Sequence, residues 1–306
     1  MTSRRFAAKL LGVIPTLLLT WTVVFGAMRL VPGDPVLLML QGTPISEAAV
    51  EAARARLGVD RPFVVQYVSF IANAAVGDFG DSFRSRQPVT RMIAAEFPFT
   101  LQLAAGGFLV GLLLGSTLGM IAGVWPHGWV DTVCMTLALA GVSLPSFWIA
   151  MILIQVFATQ LGWVPVLGTG LDALILPSIS LGLFIAGGLA RLTRASIIDA
   201  MAQDYIRTAR AKGLTALRVV AKHALRNAVI PPLTLLGIQF AVLIGGAVVT
   251  ETVFARPGIG RLLVQAVLEK DFPVVQGIVV LTTAAYVLIN FFIDIAYGLI
   301  DPRVAS

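Results

Sequence analysis

The amino-acid sequence predicts an all-α integral membrane protein with six transmembrane helices and a helical insertion outside the membrane after the first helix. Its mean hydropathy is +0.90 and only 12% of its 306 residues are charged, whereas soluble proteins carry about 25% charged residues. Long uncharged runs separate these charges, at residues 10–28, 97–130, 132–171, 173–190, 227–250 and 272–293. A helix crosses a bilayer with roughly 17–25 predominantly apolar residues, so each run supplies one span.

The first span follows Arg4, Arg5 and Lys9, an arrangement that secretory signal peptides share. Its apolar core of about 19 residues is longer than the roughly 7–15 of a signal peptide, and no small-x-small cleavage site follows it. We therefore expect residues 1–30 to form a cytoplasmic N-terminus and an uncleaved transmembrane helix. The single cysteine, Cys134, lies in an apolar run, which excludes a disulfide framework or a cysteine metal site within this chain.

The distribution of arginine and lysine predicts that both termini lie in the cytoplasm. Basic residues accumulate in the short loops on the cytoplasmic side of a membrane protein. The connection between the third and fourth spans carries none of them, whereas the connection between the fourth and fifth spans carries Arg191, Arg194, Arg207, Arg210, Lys212, Arg218, Lys222 and Arg226. Residues 31–96 then form an extracytoplasmic segment, and residues 97–306 form a five-helix core that includes a cytoplasmic segment at 194–231.

The extracytoplasmic segment contains signals for two helices. Ser46 is suited to cap a helix that runs through Leu57, and Gly58 is suited to end it. A second helix is predicted from Pro62 to about Ala75, closing at the sequence GDFGDS.

Glycine and proline recur inside the predicted spans, and two interpretations fit them. Close helix packing is one, and a moving pore wall is the other. The positions are Gly111, Gly115, Gly119, Gly123, Pro145, Gly187, Gly188, Gly245 and Gly246.

The chemistry of an ATPase, a metalloenzyme or a hydrolase is missing from the sequence. It contains no G-x-x-x-x-G-K-[ST], H-E-x-x-H, C-x-x-C or G-x-S-x-G motif. Both histidines, His127 and His223, fall on the predicted cytoplasmic side, and a soluble basic domain for binding nucleic acid is lacking. Ionisable residues within or beside the spans are few, namely Arg29, Asp131, Glu251 and Asp294.

Two of these carboxylates are candidates for gating or for structural roles. Asp294 lies before the inner end of the sixth span, where it fits either a substrate or gating contact or an interfacial hydrogen bond to a neighbouring helix. Glu251 ends the fifth span on the outer side, and it fits either a structural role at the helix end or direct substrate binding.

Residues 205–232, YIRTARAKGLTALRVVAKHALRNAVIPP, form an unusual connector between two spans. Apolar residues recur from Ile206 at helical spacing, basic residues occupy another face, and Gly213 interrupts the pattern. Two short helices that meet at a turn are therefore predicted. Such an elbow fits docking to a partner protein or contact with anionic lipid, and composition alone does not separate the two.

The segment resembles the cytoplasmic loop of ABC importer permeases, in which a Glu-Ala-Ala run, a glycine and a later Ile-x-Leu-Pro mark the coupling helix. Aligned on Gly213, Ala209 and Leu225 match this general pattern. The remaining positions resemble the dipeptide and oligopeptide permeases, where DYIRTARAKGL and HALRNAVIP are typical. Further resemblances follow in order along the chain: RLVPGDP, LGVDRPFVVQY, GDFGDSF, GGAVVTETVFARPGIGRLL, DFPVVQG and INFFIDIAYGLIDPR.

The resemblance implies a type I ABC importer permease in the cytoplasmic (inner) membrane, the first of two paired permeases. Its partners would be a second related permease, two cytoplasmic ATPase subunits, an extracytoplasmic binding protein and membrane lipid. The ATPases would bind ATP and Mg²⁺, and this chain would bind no cofactor and catalyse no reaction. The residues that the resemblance assigns to coupling are Arg207, Thr208, Ala209, Arg210, Lys212, Gly213, Leu214, Leu217 and Leu225.

Peptides are the substrates that the resemblance favours, and glutathione, nickel complexes and some sugars are alternatives. Two other classes of protein compete with this interpretation. A secondary transporter or channel that works alone would leave the long basic elbow without a role. An integral-membrane enzyme would need a clustered nucleophile or acid–base pair, which the sequence does not contain.

Overall fold

A computed structural model describes residues 3–30, 36–37, 46–215 and 218–300. The side chains at 3–11, 49, 53, 56, 57, 230, 234, 238, 241, 244, 246 and 292–300 are not described. This part of the chain is mostly helical, which confirms the predicted all-α class. The helices are α1 (Ser3–Leu30), α2 (Glu47–Leu57), α3 (Phe63–Val76), α4 (Val89–Val124), α5 (Trp129–Ser143), α6 (Ser146–Leu153), α7 (Ile175–Met201), α8 (Asp204–Ala211), α9 (Leu225–Ala228), α10 (Ile230–Val253), α11 (Ile259–Leu268) and α12 (Phe272–Ile300).

The chain divides into two compact units. The first unit comprises Met1–Pro98 and Pro257–Ser306, and the second comprises Phe99–Arg256. Helix α4 begins in the first unit and continues into the second after Pro98.

The two helices predicted within residues 31–96 are present, and their ends lie where the local sequence predicts them. Helix α2 begins directly after Ser46 and ends before Gly58. Gly58 has a φ of +62°, the left-handed conformation that glycine adopts without steric cost. Helix α3 begins directly after Pro62, whose fixed φ suits the start of a helix.

The core of the first unit lies where α11 and α12 meet the first turns of α4. Its buried members are Val89, Ile93, Ile259, Ala266, Val274, Val275 and Ile278. A smaller cluster joins Trp21 of α1, Ala74 of α3 and Val280 of α12.

Helix α7 is the centre of the second unit, and α4 approaches it closely along a row of glycines. A Cβ atom at Gly115 would lie 2.8 Å from the carbonyl oxygen of Ala186, and one at Gly123 would lie 2.7 Å from Cβ of Ile197. On the α5 side of α7, a Cβ atom at Gly141 would lie 2.8 Å from the carbonyl oxygen of Leu183. These distances fit the close-packing interpretation for Gly115, Gly123 and Gly141, because a side chain there would separate the helices. They do not extend it to Gly245, where no heavy atom lies within 4 Å of a built Cβ atom.

The uncharged run at residues 132–171 forms a bent pair of helices and not one continuous span. Helix α5 ends at Ser143, Pro145 directly precedes α6, and the axis turns by 104° between them. A proline favours such a break because the residue before it avoids the helical region of backbone space. Helix α6 then continues as a π-helix over Ile154–Gln160.

Four helices within the described part of the chain have the length and composition needed to cross a membrane: Gly12–Leu30, Val89–Val124, Asp172–Met201 and Phe272–Phe291. The bent pair would supply a fifth span if it crosses as one unit. Helix α10 is a further apolar helix of 24 residues, and it coincides with the predicted span at 227–250. The count of six spans therefore stays a prediction, while the membrane-helical class is confirmed.

Candidate functional site

Residues 204–228, called the elbow below, follow α7 and begin with the short helix α8. This helix buries only Ile206 and Ala209, which are three positions apart and so lie on one face. Arg207, Thr208 and Arg210 are exposed on the remaining surface. The sequence of α8 thus separates an apolar inner face from a basic outer face.

Gly213 makes the turn that ends the first arm of the elbow. Its φ is +75°, and its N–H donates a hydrogen bond of 2.9 Å to the carbonyl oxygen of Arg210. No heavy atom outside its chain neighbours lies within 4 Å of the position that a Cβ atom would occupy. The glycine is therefore required by backbone conformation and not by crowding within this chain.

The second arm packs back on the first and on the end of α7. It contains a π-helix at Val219–Ala224 followed by α9, and Asn227 Nδ2 donates a hydrogen bond of 3.0 Å to the Tyr205 hydroxyl. One buried cluster joins both arms to α7, with the members Ile197, Ala200, Ile206, Ala209, Val219, Ala224 and Ala228. Both arms of the elbow are therefore packed against the end of α7.

The predicted coupling residues divide into three groups by burial. Those on the exposed surface are Arg207, Thr208, Arg210, Lys212 and Gly213. Leu214 and Leu225 pack as partly buried residues against the elbow cluster, and Ala209 is a buried member of it. Leu217 lies outside the described residues.

The exposed surface of the elbow is strongly basic. Its cationic side chains are Arg207, Arg210, Lys212, Arg218, Lys222 and Arg226. Arg207 lies 3.8 Å from Asp204, but both side chains are more than four-fifths exposed, so this pair contributes little. The surface therefore suits either of the two predicted contacts, an acidic protein surface or anionic lipid.

A partly buried ion pair joins α5 to α7 about one turn before the elbow cluster. Arg194 donates two hydrogen bonds of 2.6 Å to the two carboxylate oxygens of Asp131, and the His127 N–H donates a third at 2.8 Å. Bidentate pairs of this kind fix geometry as well as adding free energy. The sequence identified Asp131 as an ionisable residue beside a span, but it placed Arg194 in the basic connector, and nothing local indicates their pairing.

Glu251 lies in a buried polar cluster near the end of α10. Its side chain is fully buried and accepts a hydrogen bond of 2.6 Å from the Thr100 hydroxyl. Arg256 is also buried and donates to Gln102 Oε1 at 3.2 Å and to the Gly168 carbonyl at 3.3 Å. Burial lowers the pKa of the Arg256 guanidinium, and the charge of Glu251 opposes that shift.

The complete burial of Glu251 fits a structural role. A gating role for this residue stays a prediction. Asp294 belongs to α12, but its side chain lies outside the described part of the structure.

Asp271 organises the loop of the first unit that follows α3, and sequence reasoning did not single it out. The residue is buried directly before α12, where it accepts a hydrogen bond of 2.5 Å from the Ser82 hydroxyl and one of 3.1 Å from the Phe83 N–H. A cleft of about 300 Å³ lies beside it, and Arg84, Gln265 and Glu269 are among its lining residues. The partners are 189 and 188 positions apart, so only the folded chain shows the contact.

Two family descriptions together match nearly the whole chain. Residues 115–306 match "Binding-protein-dependent transport system inner membrane component", and residues 3–104 match the N-terminal region of the same kind of membrane component. The chain belongs to this family.

Curated relatives of this permease match it over almost their full length. The glutathione transport system permease protein GsiC of Escherichia coli (strain K12) is 44% identical over 297 residues, which cover 97% of each chain. GsiC of Pectobacterium atrosepticum is 44% identical over 301 residues, which cover 98% of each chain.

Solved ABC transporters share the permease's fold. A chain of the MetNI methionine ABC transporter in an inward-facing form gives a TM-score of 0.59 at 18% identity, covering 69% of this chain and 96% of that chain. An amino acid ABC transporter gives a TM-score of 0.53, covering 70% and 94% respectively. At this identity the likeness concerns the fold.

Membership in the family makes this chain a permease of a binding-protein-dependent ABC importer in the inner membrane. Such a permease works with a substrate-binding protein and with ATPase subunits. Family membership therefore supports the importer interpretation over the two competing classes of protein, a stand-alone transporter and a membrane enzyme.

Proposed function

We propose that this chain is a non-catalytic permease subunit that passes short peptides into the cytoplasm by alternating access, driven by partner ATPases. The observation that carries the proposal is the 44% identity over 97% of both chains to a permease named for glutathione transport. Glutathione is itself a tripeptide, so this relative falls within the peptide class that the sequence motifs favour.

The elbow is the proposed site of coupling to the ATPase. Its exposed basic surface would contact acidic side chains of that subunit, and Gly213 would leave room for close approach, since no side chain projects there. Ala209 faces inward, and its small size serves contact between the elbow and α7. Coupling thus divides between an outer face that binds and an inner face that transmits.

Transmission would follow the contacts of α7. The elbow cluster includes Ile197 and Ala200 of this helix, the Asp131–Arg194 pair joins it to α5, and the glycine row joins it to α4. Because close-packed interfaces deform little, a push on the elbow would move these helices together. ATP binding and the loaded binding protein would then bias two conformations of the pore.

The proposed assembly also has an orientation and a second permease. Both termini lie in the cytoplasm, as the basic residues predict, and a related permease forms the other half of the pore. The ATPases hold ATP and Mg²⁺, while the extracytoplasmic binding protein selects the substrate.

An uptake assay in proteoliposomes distinguishes glutathione from other short peptides as substrates. The permease, its ATPases, its partner permease and the binding protein are reconstituted, and uptake of labelled glutathione and of a labelled dipeptide is measured with ATP inside. We expect ATP-dependent uptake of at least one, and none by this chain alone. Ion-driven uptake by this chain alone would contradict the proposal, and absence of ATP-dependent uptake of both peptides would overturn the proposed substrate class.

A further inference from the structure

Helices α2 and α3 are neighbours in the chain but have opposite compositions. Helix α2 carries Glu47, Glu51 and Arg54 among its 11 residues. Helix α3, FVVQYVSFIANAAV, has 14 residues, none of them charged. A helix surrounded by water ordinarily presents charged residues on its outer face, so α2 fits an aqueous setting and α3 does not.

One face of α3 follows α1, a candidate span, over most of its length. Near the end of α1, Arg29 donates a hydrogen bond to Gln66 and lies over the Phe63 ring. Further along, Phe25 contacts the Tyr67 ring at 5.5 Å between centroids. The far end of α3 reaches the cluster of Trp21 and Leu17.

These contacts place α3 beside the membrane-crossing part of α1. Arg29 and Leu17 are 12 positions apart, or about 18 Å along a helix at 1.5 Å per residue. Both lie inside the apolar stretch Gly12–Leu30. The axis of α3 therefore runs along α1 from its end towards the middle of the span.

The opposite face of α3 is apolar and uncovered. Val64 is 69% exposed, Val68 58% and Val76 79%. Successive members of this set are four and eight positions apart, which places them on the same side of the helix. On α1 itself, Leu19 and Val23 are also more than 60% exposed, as expected of a helix that faces lipid. The exposed stripe of α3 is thus surrounded by the same kind of apolar surface.

Two polar side chains of α3 that face α1, Gln66 and Tyr67, have hydrogen-bond partners, as hydrocarbon surroundings require. The Tyr67 hydroxyl shares a hydrogen bond of 2.7 Å with Thr22, and Gln66 Nε2 donates to the carbonyls of Val59 and Arg61. The loop after α3 turns back over protein, with the Phe79 ring beside Gly277.

We propose that α3 is a re-entrant helix that lies within the bilayer beside α1, with Val64, Val68 and Val76 against lipid acyl chains. Fourteen residues span about 21 Å, too short to cross a hydrocarbon core of about 30 Å, and apolar helices of this length suit a re-entrant segment. The extracytoplasmic segment is then divided between water, at α2, and the membrane, at α3. This inference goes beyond the transport activity and does not depend on the substrate.

Spin-label accessibility tests the proposal. Single cysteines replace Val64, Val68 and Val76 in a Cys134→Ala background, and Ala52 of α2 supplies the matched control, since it is exposed on a helix of the same segment. The labelled full-length chains are reconstituted with their partner subunits in phosphatidylcholine–phosphatidylglycerol vesicles. Collisions with dissolved oxygen and with a water-soluble nickel chelate are measured at each position.

We expect the three α3 labels to collide more with oxygen and less with the nickel chelate than the Ala52 label does. Depth should also increase from Val64 towards Val76, by up to about 18 Å for 12 residues. Nickel accessibility equal to that at Ala52 would show that α3 lies in water and would overturn the proposal. Shielding of all three labels from both reagents would show a covering protein and would overturn it too.

Substrate uptake by the same labelled preparations keeps this result separate from the proposed function. Wild-type uptake with water-exposed α3 labels would refute the re-entrant helix alone. Absence of uptake by the unsubstituted complex, together with lipid-exposed labels, would instead leave the helix in place and contradict the transport assignment.

Discussion

Substitution of Gly213 distinguishes a partner contact from a role inside this chain. The residue has a φ of +75° and no heavy atom within 4 Å of a built Cβ. An alanine there would cost about 1–2 kcal/mol for the left-handed conformation, whereas Asn and Asp tolerate it better. Gly213→Asn and Gly213→Asp should therefore leave the thermal unfolding of the purified permease nearly unchanged.

The assay is substrate-stimulated ATP hydrolysis and uptake by the reconstituted complex. We expect Gly213→Asp to uncouple transport or to prevent assembly with the ATPase, because it places a charged side chain in the proposed contact. Gly213→Asn is the matched control for backbone conformation and size, and it should reduce coupling less. Wild-type uptake and stimulated hydrolysis in the Gly213→Asp complex would refute the reasoning.

Three other predictions concern contacts within the permease. Arg194→Ala leaves the Asp131 carboxylate buried without its cation. We expect the free energy of unfolding to fall by about 2–4 kcal/mol, at the low end because Arg194 is 26% exposed. A double mutant with Asp131→Ala whose loss equals the sum of the two single losses would contradict a direct pair. Gly115→Ala should lower the free energy of unfolding by about 1–3 kcal/mol, because the added methyl group forces α4 away from α7. Gly245→Ala is the control, since no heavy atom lies within 4 Å of its Cβ position. Equal shifts in melting temperature for the two variants would refute this. Asp271→Ala should lower the free energy of unfolding by about 1–3 kcal/mol, because it leaves the buried donors of Ser82 and Phe83 without an acceptor. It should also make the loop at residues 82–86 more sensitive to protease. Unchanged cleavage would rule out its organising role.

The parts of the fold that depend on local chemistry were predictable from the sequence. Ser46 and Gly58 lie directly before and after α2, as predicted, because the residues at a helix end decide capping and left-handed turns. The apolar runs likewise predicted membrane helices, because length and polarity alone decide whether a helix suits hydrocarbon. Apolar periodicity and Gly213 then predicted the elbow, and family motifs predicted the class of transporter.

Contacts between distant residues were not predictable in this way. The sequence placed Arg194 in a basic connector. In the structure it lies within α7, and its side chain pairs with Asp131. Asp271 carried no local signal, since its partners come from a loop 188 positions earlier. The bend at Pro145 has a local cause, but the uncharged run around it did not show that the helix axis turns by 104° there. Periodicity placed Ala209 on the apolar face with Ile206, but it did not show whether that face packs against this chain or meets a partner.

The most direct test of the coupling account is a photo-crosslink from the elbow to the ATPase. A photoreactive amino acid replaces Lys212, which is exposed on the elbow, and in a second variant it replaces Trp163, which is 69% exposed elsewhere in the chain. After illumination of the assembled complex, we expect the Lys212 variant to form an adduct with the ATPase subunit and the Trp163 variant to form none. Equal adducts from both positions, or an ATPase adduct from Trp163 alone, would contradict the assignment of the elbow as the coupling site.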